Sequence, residues 1–211
     1  GKTIPTFSKR NPEELPWGAL EVDVVLECTG FFRKKEQAML HINAGAKKVL
    51  LSAPAKSEGI PTIVKGVNDD LLTGADLIVS NASCTTNCLS PVAKIITENW
   101  GLVYGSMTTT HAYTSDQRLQ DSPHSDLRRA RAAAFNIVPT TTGAAIATAK
   151  VVPAIAGKLN AIAVRVPVLT GSLIEVNCVV EKVPTVEEIN AKFKELADGA
   201  MKGVLEYSID P

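Results

Sequence analysis

Short apolar runs separated by a helical stretch constrain the first portion of this chain more than any other feature of its sequence. Val22-Asp23-Val24-Val25-Leu26-Glu27-Cys28 is rich in β-branched residues and stops at Thr29-Gly30. Lys34 to Ala44 has helical spacing, with Ala38, Met39 and Ile42 on one side, and stops at Gly45. Lys48-Val49-Leu50-Leu51-Ser52 is the next strand, and it ends at Ala53-Pro54. Thr62 to Val67 and Asp76 to Ser80 read as further strands, and Thr3 to Phe7 as a strand already under way. Continuous apolar strands alternating with helices predict an α/β, doubly wound parallel sheet, because such strands are buried on both faces.

The pattern changes after Ser83. A helix over 84–99 ends at Gly101, and a long Thr-rich strand, Leu102 to Thr114, follows it. The polar segment Ser115 to Arg131 is too long for a simple turn, and segments of that kind are usually functional or mobile. Gly143 to Val152 reads as a helix stopped by Pro153. Leu159 to Val166 and Ser172 to Glu181 alternate apolar and polar residues in part, as half-buried antiparallel strands do. Thr185-Val186-Glu187-Glu188 is a capping box opening a helix to about Ala200, and Val204 to Ile209 reads as a last strand. Longer strands with fewer helices make this portion α+β with a largely antiparallel sheet. The division is therefore 1–82 and 83–211. Gly1 in place of Met, and a last segment that stops at Asp210-Pro211 with no closing element, suggest a piece of a longer chain.

Composition narrows the function classes. The 22 basic and 22 acidic residues cancel and form no block of one sign, which argues against nucleic acid or an anionic membrane as partner. The longest low-charge stretch, 140–157, is broken by Lys150 and Pro153 and does not suit a membrane span. The four cysteines, Cys28, Cys84, Cys88 and Cys178, lack disulfide or zinc spacing, so no metal is expected and a reducing, cytoplasmic setting is the simplest reading.

Cys84 stands where the apolar run Leu77-Ile78-Val79 turns into a helix. Free backbone N–H groups and the helix dipole favour negative charge there, and so favour thiolate, the nucleophilic form. The alternative is a small residue packing a tight strand–helix turn. Of the three histidines, His41 reads as a surface residue of a helix and His124 as a solvated loop residue. His111, at the end of the Thr-rich strand, would meet Cys84 if that strand lay back along the helix; a structural role is the alternative. Arg165 ends an apolar strand just before Pro167, and Thr140-Thr141-Thr142-Gly143 opens a helix, so both are candidate anion sites. Arg128-Arg129-Ala130-Arg131 is a local basic cluster. A thiol, one histidine, a strand-end arginine and hydroxyl-rich helix starts suggest a phosphorylated substrate attacked by cysteine. Cys88, one turn after Cys84, and Cys178, on a strand, read as buried packing residues.

Ala82-Ser83-Cys84-Thr85-Thr86-Asn87-Cys88-Leu89 resembles the active-site signature of phosphorylating glyceraldehyde-3-phosphate dehydrogenases. The likeness continues through Glu27-Cys28-Thr29-Gly30, Ser52-Ala53-Pro54, Thr110-His111-Ala112-Tyr113-Thr114, Arg128 to Ala134, Pro139 to Ala145 and Arg165-Val166-Pro167. The resemblance implies an incomplete Rossmann-type domain followed by a catalytic domain. It implies oxidation of glyceraldehyde 3-phosphate through a cysteine hemithioacetal and thioester, with inorganic phosphate releasing an acyl phosphate. Cys84 would be the nucleophile and His111 its acid–base partner. Thr114 and Arg165 would hold the substrate's phosphate; Ser83, Thr85, Thr142 and Gly143, with Arg129 nearby, would hold the attacking one. Thr29, Gly30 and Ser52 would line the dinucleotide, read as NAD with NADP left open, and the assembly would be a homotetramer. Cys28 stands where the family more often has Ser, and Val168 to Ser172 departs from its usual Pro-Asn-Val pattern. A related enzyme that acts on erythrose 4-phosphate and releases the acid with water is the alternative. The 211-residue piece alone is expected to turn over weakly.

Overall fold

The computed structural model describes residues 1–210, and the chain divides into two compact units, Gly1–Ser83 and Cys84–Pro211. In the first, β1 (Val24–Glu27), β2 (Lys48–Leu51) and β3 (Ile78–Ser80) form a three-stranded sheet in that order, parallel throughout. Helix α1 (Lys35–Asn43) makes the crossover from β1 to β2. Val49 and Leu51 of the middle strand point into a cluster with Ala38 of α1, Ile60 and Ile78. Burying a side chain such as Leu51 contributes about 2 kcal/mol. Gly45, with φ at 102°, ends the helix where its main chain meets Gly18; a Cβ there would lie 2.4 Å from the Gly18 Cα, so only glycine fits.

Two expected strands of this unit do not form. Thr62 makes a single parallel bridge to Ser80, and Gly66 (φ 76°) then turns the chain. The Asn68 side chain accepts from the Val64 N–H at 2.8 Å and donates to the Thr62 carbonyl at 2.9 Å, so a local side-chain bond displaces the ladder. Thr3 to Phe7 is irregular and exposed, and among the described residues no strand lies beside it to satisfy its backbone. The chain leaves β3 through Ala82, a nearly buried residue at φ 59°, a left-handed conformation that costs a non-glycine residue about 1 kcal/mol. That turn is held because Ala82 N–H donates to Ser80 Oγ (3.1 Å), Ser80 Oγ to the Ala53 carbonyl (2.8 Å) and Asn81 N–H to the Leu51 carbonyl (3.0 Å).

The second unit opens with α2 (Cys84–Trp100), and Gly101 (φ 71°) reverses the chain into β4 (Leu102–Ala112). β5 (Val138–Thr141), α3 (Ala144–Val151), β6 (Leu159–Val166), β7 (Ser172–Val180) and α4 (Val186–Asp198) follow. The sheet order is β5-β6-β4-β7. Pairs β5–β6 and β4–β7 are antiparallel, but β4–β6 is parallel, so β6 is not the purely antiparallel strand its pattern suggested. The reason is the connection: both β5 and α3 lie between β4 and β6, β5 runs against them, and the chain is long enough to reverse twice before β6 pairs beside β4. Leu89 of α2, Met107 of β4 and Ala144 of α3 form the core, flanked by Ala161, Ile174 and Val176.

The hydroxyl run expected to open a helix is itself split, with Thr140 and Thr141 ending β5 and the helix starting after Gly143. The Thr185 box forms: Thr185 Oγ1 accepts from Glu188 N–H at 3.2 Å, and Glu188 Oε2 accepts from Thr185 N–H at 2.7 Å, a cap contributing about 1 kcal/mol. Val204 to Ile209 is not a strand. Only Leu205 bridges, to Lys202, within a tight turn that leaves too little chain for a ladder. Among the described residues no helix is long and apolar enough to cross a membrane.

Candidate active site

The return of strand β4 along helix α2 fixes the site. A 17-residue helix is about 25 Å long and the 11-residue return strand about 36 Å, so the chain is long enough for the far part of β4 to come back to the first turn of the helix. His111, near the end of β4, lies with Nε2 3.5 Å from Cys84 Sγ. In-register pairing of β4 with β6 sets His111 directly beside Arg165. Arg165 Nη1 lies 2.9 Å from His111 Nδ1 and 3.3 Å from the Ala112 carbonyl, which is itself 2.7 Å from Nδ1.

His111 Nδ1 therefore faces a group that only donates and a group that only accepts. With the proton on Nδ1, it bonds the Ala112 carbonyl and leaves Nε2 to accept the thiol proton. With the proton on Nε2, Nδ1 accepts from Arg165 and Nε2–H donates to a thiolate. Both arrangements are neutral tautomers; in the first, a proton taken on Nε2 would make an imidazolium whose Nδ1–H stays on the Ala112 carbonyl, the form a general acid needs.

The polar segment 115–131 folds around its carboxylates. Arg129 Nη1 donates to Asp116 Oδ2 at 2.6 Å, and its Nε donates to Thr140 Oγ1 at 2.8 Å with Asp126 Oδ2 at 3.5 Å. Backbone donors of Arg128 and Arg129 hold the Asp126 carboxyl below its ordinary range. Arg131 and the Ala132 N–H do the same for Asp121. His124 is not simply solvated: Asp126 N–H donates to its Nδ1 at 2.9 Å, and its Nε2 lies 3.0 Å from the Asp116 carbonyl. Arg165 is pushed below the ordinary guanidinium range, by burial first and by the charge of Arg129 second, with Asp116 and Cys84 pulling the other way. Two guanidiniums, one carboxylate and the thiol thus share one electrostatic neighbourhood.

Of the other residues singled out from sequence, Thr85, in the first turn of α2, is 8% exposed, and Ser83 is half-buried just before the helix. Thr114 N–H donates to Gln117 Oε1 at 3.2 Å. Thr142 Oγ1 accepts from Ala144 N–H at 3.2 Å, and Gly143 opens α3 with free space around its Cα. Asp116, Gln117 and the Ala112 carbonyl were not singled out from sequence; only their closeness to the Thr110-to-Thr114 motif signalled them. Cys88 and Cys178 are exposed rather than packed in the core, because α2 and β7 turn them outward. Crowding around its sulfur first, and Cys84 second, still raise the Cys88 thiol above its ordinary range. Among the described residues no group of three His, Cys, Asp or Glu side chains is placed to hold a metal ion.

Thr29, Gly30 and Ser52 lie in the first unit, exposed at the carboxyl ends of β1 and β2. That is where an open parallel sheet binds ligands. His41 belongs to the same unit and is not a surface residue. It is 4% exposed, with Nε2 3.1 Å from the buried Glu27 carboxylate. Its signal was the three-residue spacing from Ala38, which puts both on one helix face.

Residues 83–211 match the family model described as the glyceraldehyde 3-phosphate dehydrogenase C-terminal domain, and residues 1–35 match its NAD binding domain. All of this chain aligns with "Glyceraldehyde-3-phosphate dehydrogenase 2" of Streptomyces avermitilis at 58% identity, spanning 63% of that protein's length. The protein named glyceraldehyde-3-phosphate dehydrogenase from Geobacillus stearothermophilus is 55% identical over all of this chain and 63% of its own length. A chloroplastic form A from Scenedesmus vacuolatus is 56% identical over all of this chain and 67% of its own.

Proposed function

Because the chain belongs to the glyceraldehyde 3-phosphate dehydrogenase family, we propose that it carries the thiol chemistry of that enzyme. On this reading residues 1–82 belong to the dinucleotide-binding domain and 83–211 to the catalytic domain. The observation that carries the proposal is Cys84 Sγ 3.5 Å from a His111 whose other ring nitrogen is 2.9 Å from Arg165.

Cys84 thiolate adds to the aldehyde carbon of glyceraldehyde 3-phosphate, forming a C–S bond as the carbonyl π bond breaks, and the alkoxide takes the proton that His111 drew from the thiol, giving a hemithioacetal. His111 takes the hydroxyl proton as hydride leaves that carbon, which gives a thioester on Cys84. Bound NAD supplies the hydride acceptor. Exposed Thr29 and Ser52 hydroxyls and the left-handed Gly30 turn suit a dinucleotide at the strand ends. Inorganic phosphate then attacks the acyl carbon; the C–S bond breaks, and the acyl phosphate leaves with Cys84 restored as thiolate. Thr114 and Arg165 hold the substrate phosphate. Ser83, Thr85, Thr142, Gly143 and Arg129 serve the attacking phosphate. Two guanidiniums whose charges oppose each other favour an anion between them.

The 211-residue chain by itself is expected to reduce NAD weakly; it spans 63% of the Streptomyces and Geobacillus relatives. A homotetramer is supported by apolar Ile162 and Leu173, exposed on the sheet face opposite Ala161, Ala163, Ile174 and Val176. Four free cysteines fit a reducing, cytoplasmic setting.

The test is the phosphate half-reaction, which needs no nicotinamide. The chain is incubated with acetyl phosphate, and thioesters are located by peptide mass spectrometry. The expected result is an acetyl thioester at Cys84, with release of inorganic phosphate, that is absent in Cys84→Ser. Acetylation spread evenly over Cys28, Cys88 and Cys178 would overturn the proposal.

A further inference from the structure

We infer that Glu27 is a positioning residue: its buried carboxylate fixes the Thr29-Gly30 turn, beside a Ser52 tied to its main-chain oxygen, where the first unit would meet its dinucleotide. The inference rests on the cofactor-lining roles proposed above.

Glu27 closes β1 with its side chain 3% exposed, while Cys28, Thr29 and Gly30 immediately after it are exposed. Each of its acceptors is used. Oε1 takes the Thr29 N–H at 2.8 Å and also the Thr29 hydroxyl. That hydroxyl oxygen in turn accepts from Phe31 N–H at 3.1 Å, so the clamp spans the Gly30 turn. The Glu27 main-chain oxygen accepts from Ser52 N–H at 3.1 Å and from Ser52 Oγ at 3.2 Å, which ties the end of β2 to the end of β1. Oε2 faces His41 Nε2 at 3.1 Å. Trp17 Nε1 lies 3.1 Å from His41 Nδ1, and an indole N–H can only donate. Nδ1 therefore accepts, the imidazole proton sits on Nε2, and it donates to Glu27. The Trp17 and Phe32 rings pack on the imidazole, with centroids 6.4 and 6.2 Å away.

A carboxyl group in this core is expensive, and an apolar side chain of similar size would fill the space more cheaply. What an apolar residue could not do is hold an exposed turn from beneath. The chain of donors Trp17, His41 and Thr29 converges on that single group, and its output is the shape of the Thr29-Gly30 turn.

The test uses the purified 211-residue chain, with backbone amide exchange in the absence of ligand and calorimetric NAD titration as separate readouts. In Glu27→Ala, exchange at Thr29 and Phe31 is expected to rise about tenfold relative to Leu50 of β2, and NAD affinity to fall about tenfold. Glu27→Gln keeps an oxygen for Thr29 but turns an NH2 toward the His41 N–H. It should leave Thr29 exchange and NAD affinity within about threefold of wild type while shifting Trp17 emission, read in a Trp100→Phe background. If Glu27→Ala does not fold, Thr29→Val removes the hydroxyl link alone and should speed Phe31 exchange by about tenfold. Unchanged exchange at Thr29 and Phe31, or an equal rise across all three strands, overturns the inference. So does faster exchange with unchanged NAD affinity. A wild-type chain that binds no NAD overturns the cofactor reading and, through it, the inference; the exchange data then show separately whether the clamp exists.

Discussion

His41 and His111 are the same side chain put to opposite uses in the two units. His41 is 4% exposed and has one donor and one acceptor, Trp17 and Glu27, so a single proton position satisfies both ring nitrogens. His111 is half-buried, and its Nδ1 is contested by the Ala112 carbonyl at 2.7 Å and Arg165 at 2.9 Å, while Nε2 faces a thiol. A fully satisfied imidazole is locked and holds its neighbours in place. An imidazole whose Nδ1 proton has a carbonyl to hold it and whose Nε2 faces a thiol has a site where a second proton could be taken up and returned.

The largest effect should break the locked cluster. His41→Ala removes the Glu27 donor and leaves the Trp17 N–H without an acceptor, so a stability loss of about 3 kcal/mol is expected by urea denaturation, with Cys84 alkylation in the folded fraction unchanged. His111→Asn should show the reverse. Alkylation of Cys84 by iodoacetamide should slow by about tenfold or more, while the urea midpoint barely moves because the side chain is only half-buried. The smallest effect concerns the second thiol of the same helix. Cys88 is raised above the ordinary thiol value by desolvation and by Cys84. A raised thiol carries less thiolate at a given pH, so Cys88 should alkylate appreciably only above the ordinary thiol range. Replacing Cys84 with Ser removes the charge contribution and should bring the onset at Cys88 down slightly, read as labelling rate against pH by mass spectrometry.

Much of the fold was legible because it is written locally. The three parallel strands followed from apolar runs, the end of α1 from Gly45, and the start of α4 from Thr185 and Glu188. Failures came where a distant or competing partner decided. Thr62 to Val67 has strand composition, but the Asn68 side chain takes its backbone. Leu159 to Val166 has the alternation of an antiparallel strand and does pair that way with β5, but on its other side it lies parallel to β4, because the chain between them reverses twice. His41 looked like a surface residue because nothing in its own segment shows that Glu27, fourteen residues earlier, ends a buried strand beneath it.

The sequence by itself determined that Cys84 begins a helix, that His111 ends a strand, and that a family-specific octapeptide surrounds the thiol. These depend on neighbours along the chain, where propensity and motif operate. The tertiary structure alone decided that Sγ and Nε2 stand 3.5 Å apart, that strand register sets Arg165 against that same imidazole, and that a second histidine is sealed onto a buried carboxylate. Each of those is a contact between residues fourteen or more positions apart, fixed by helix length, sheet register and burial, none of which any single stretch of sequence carries.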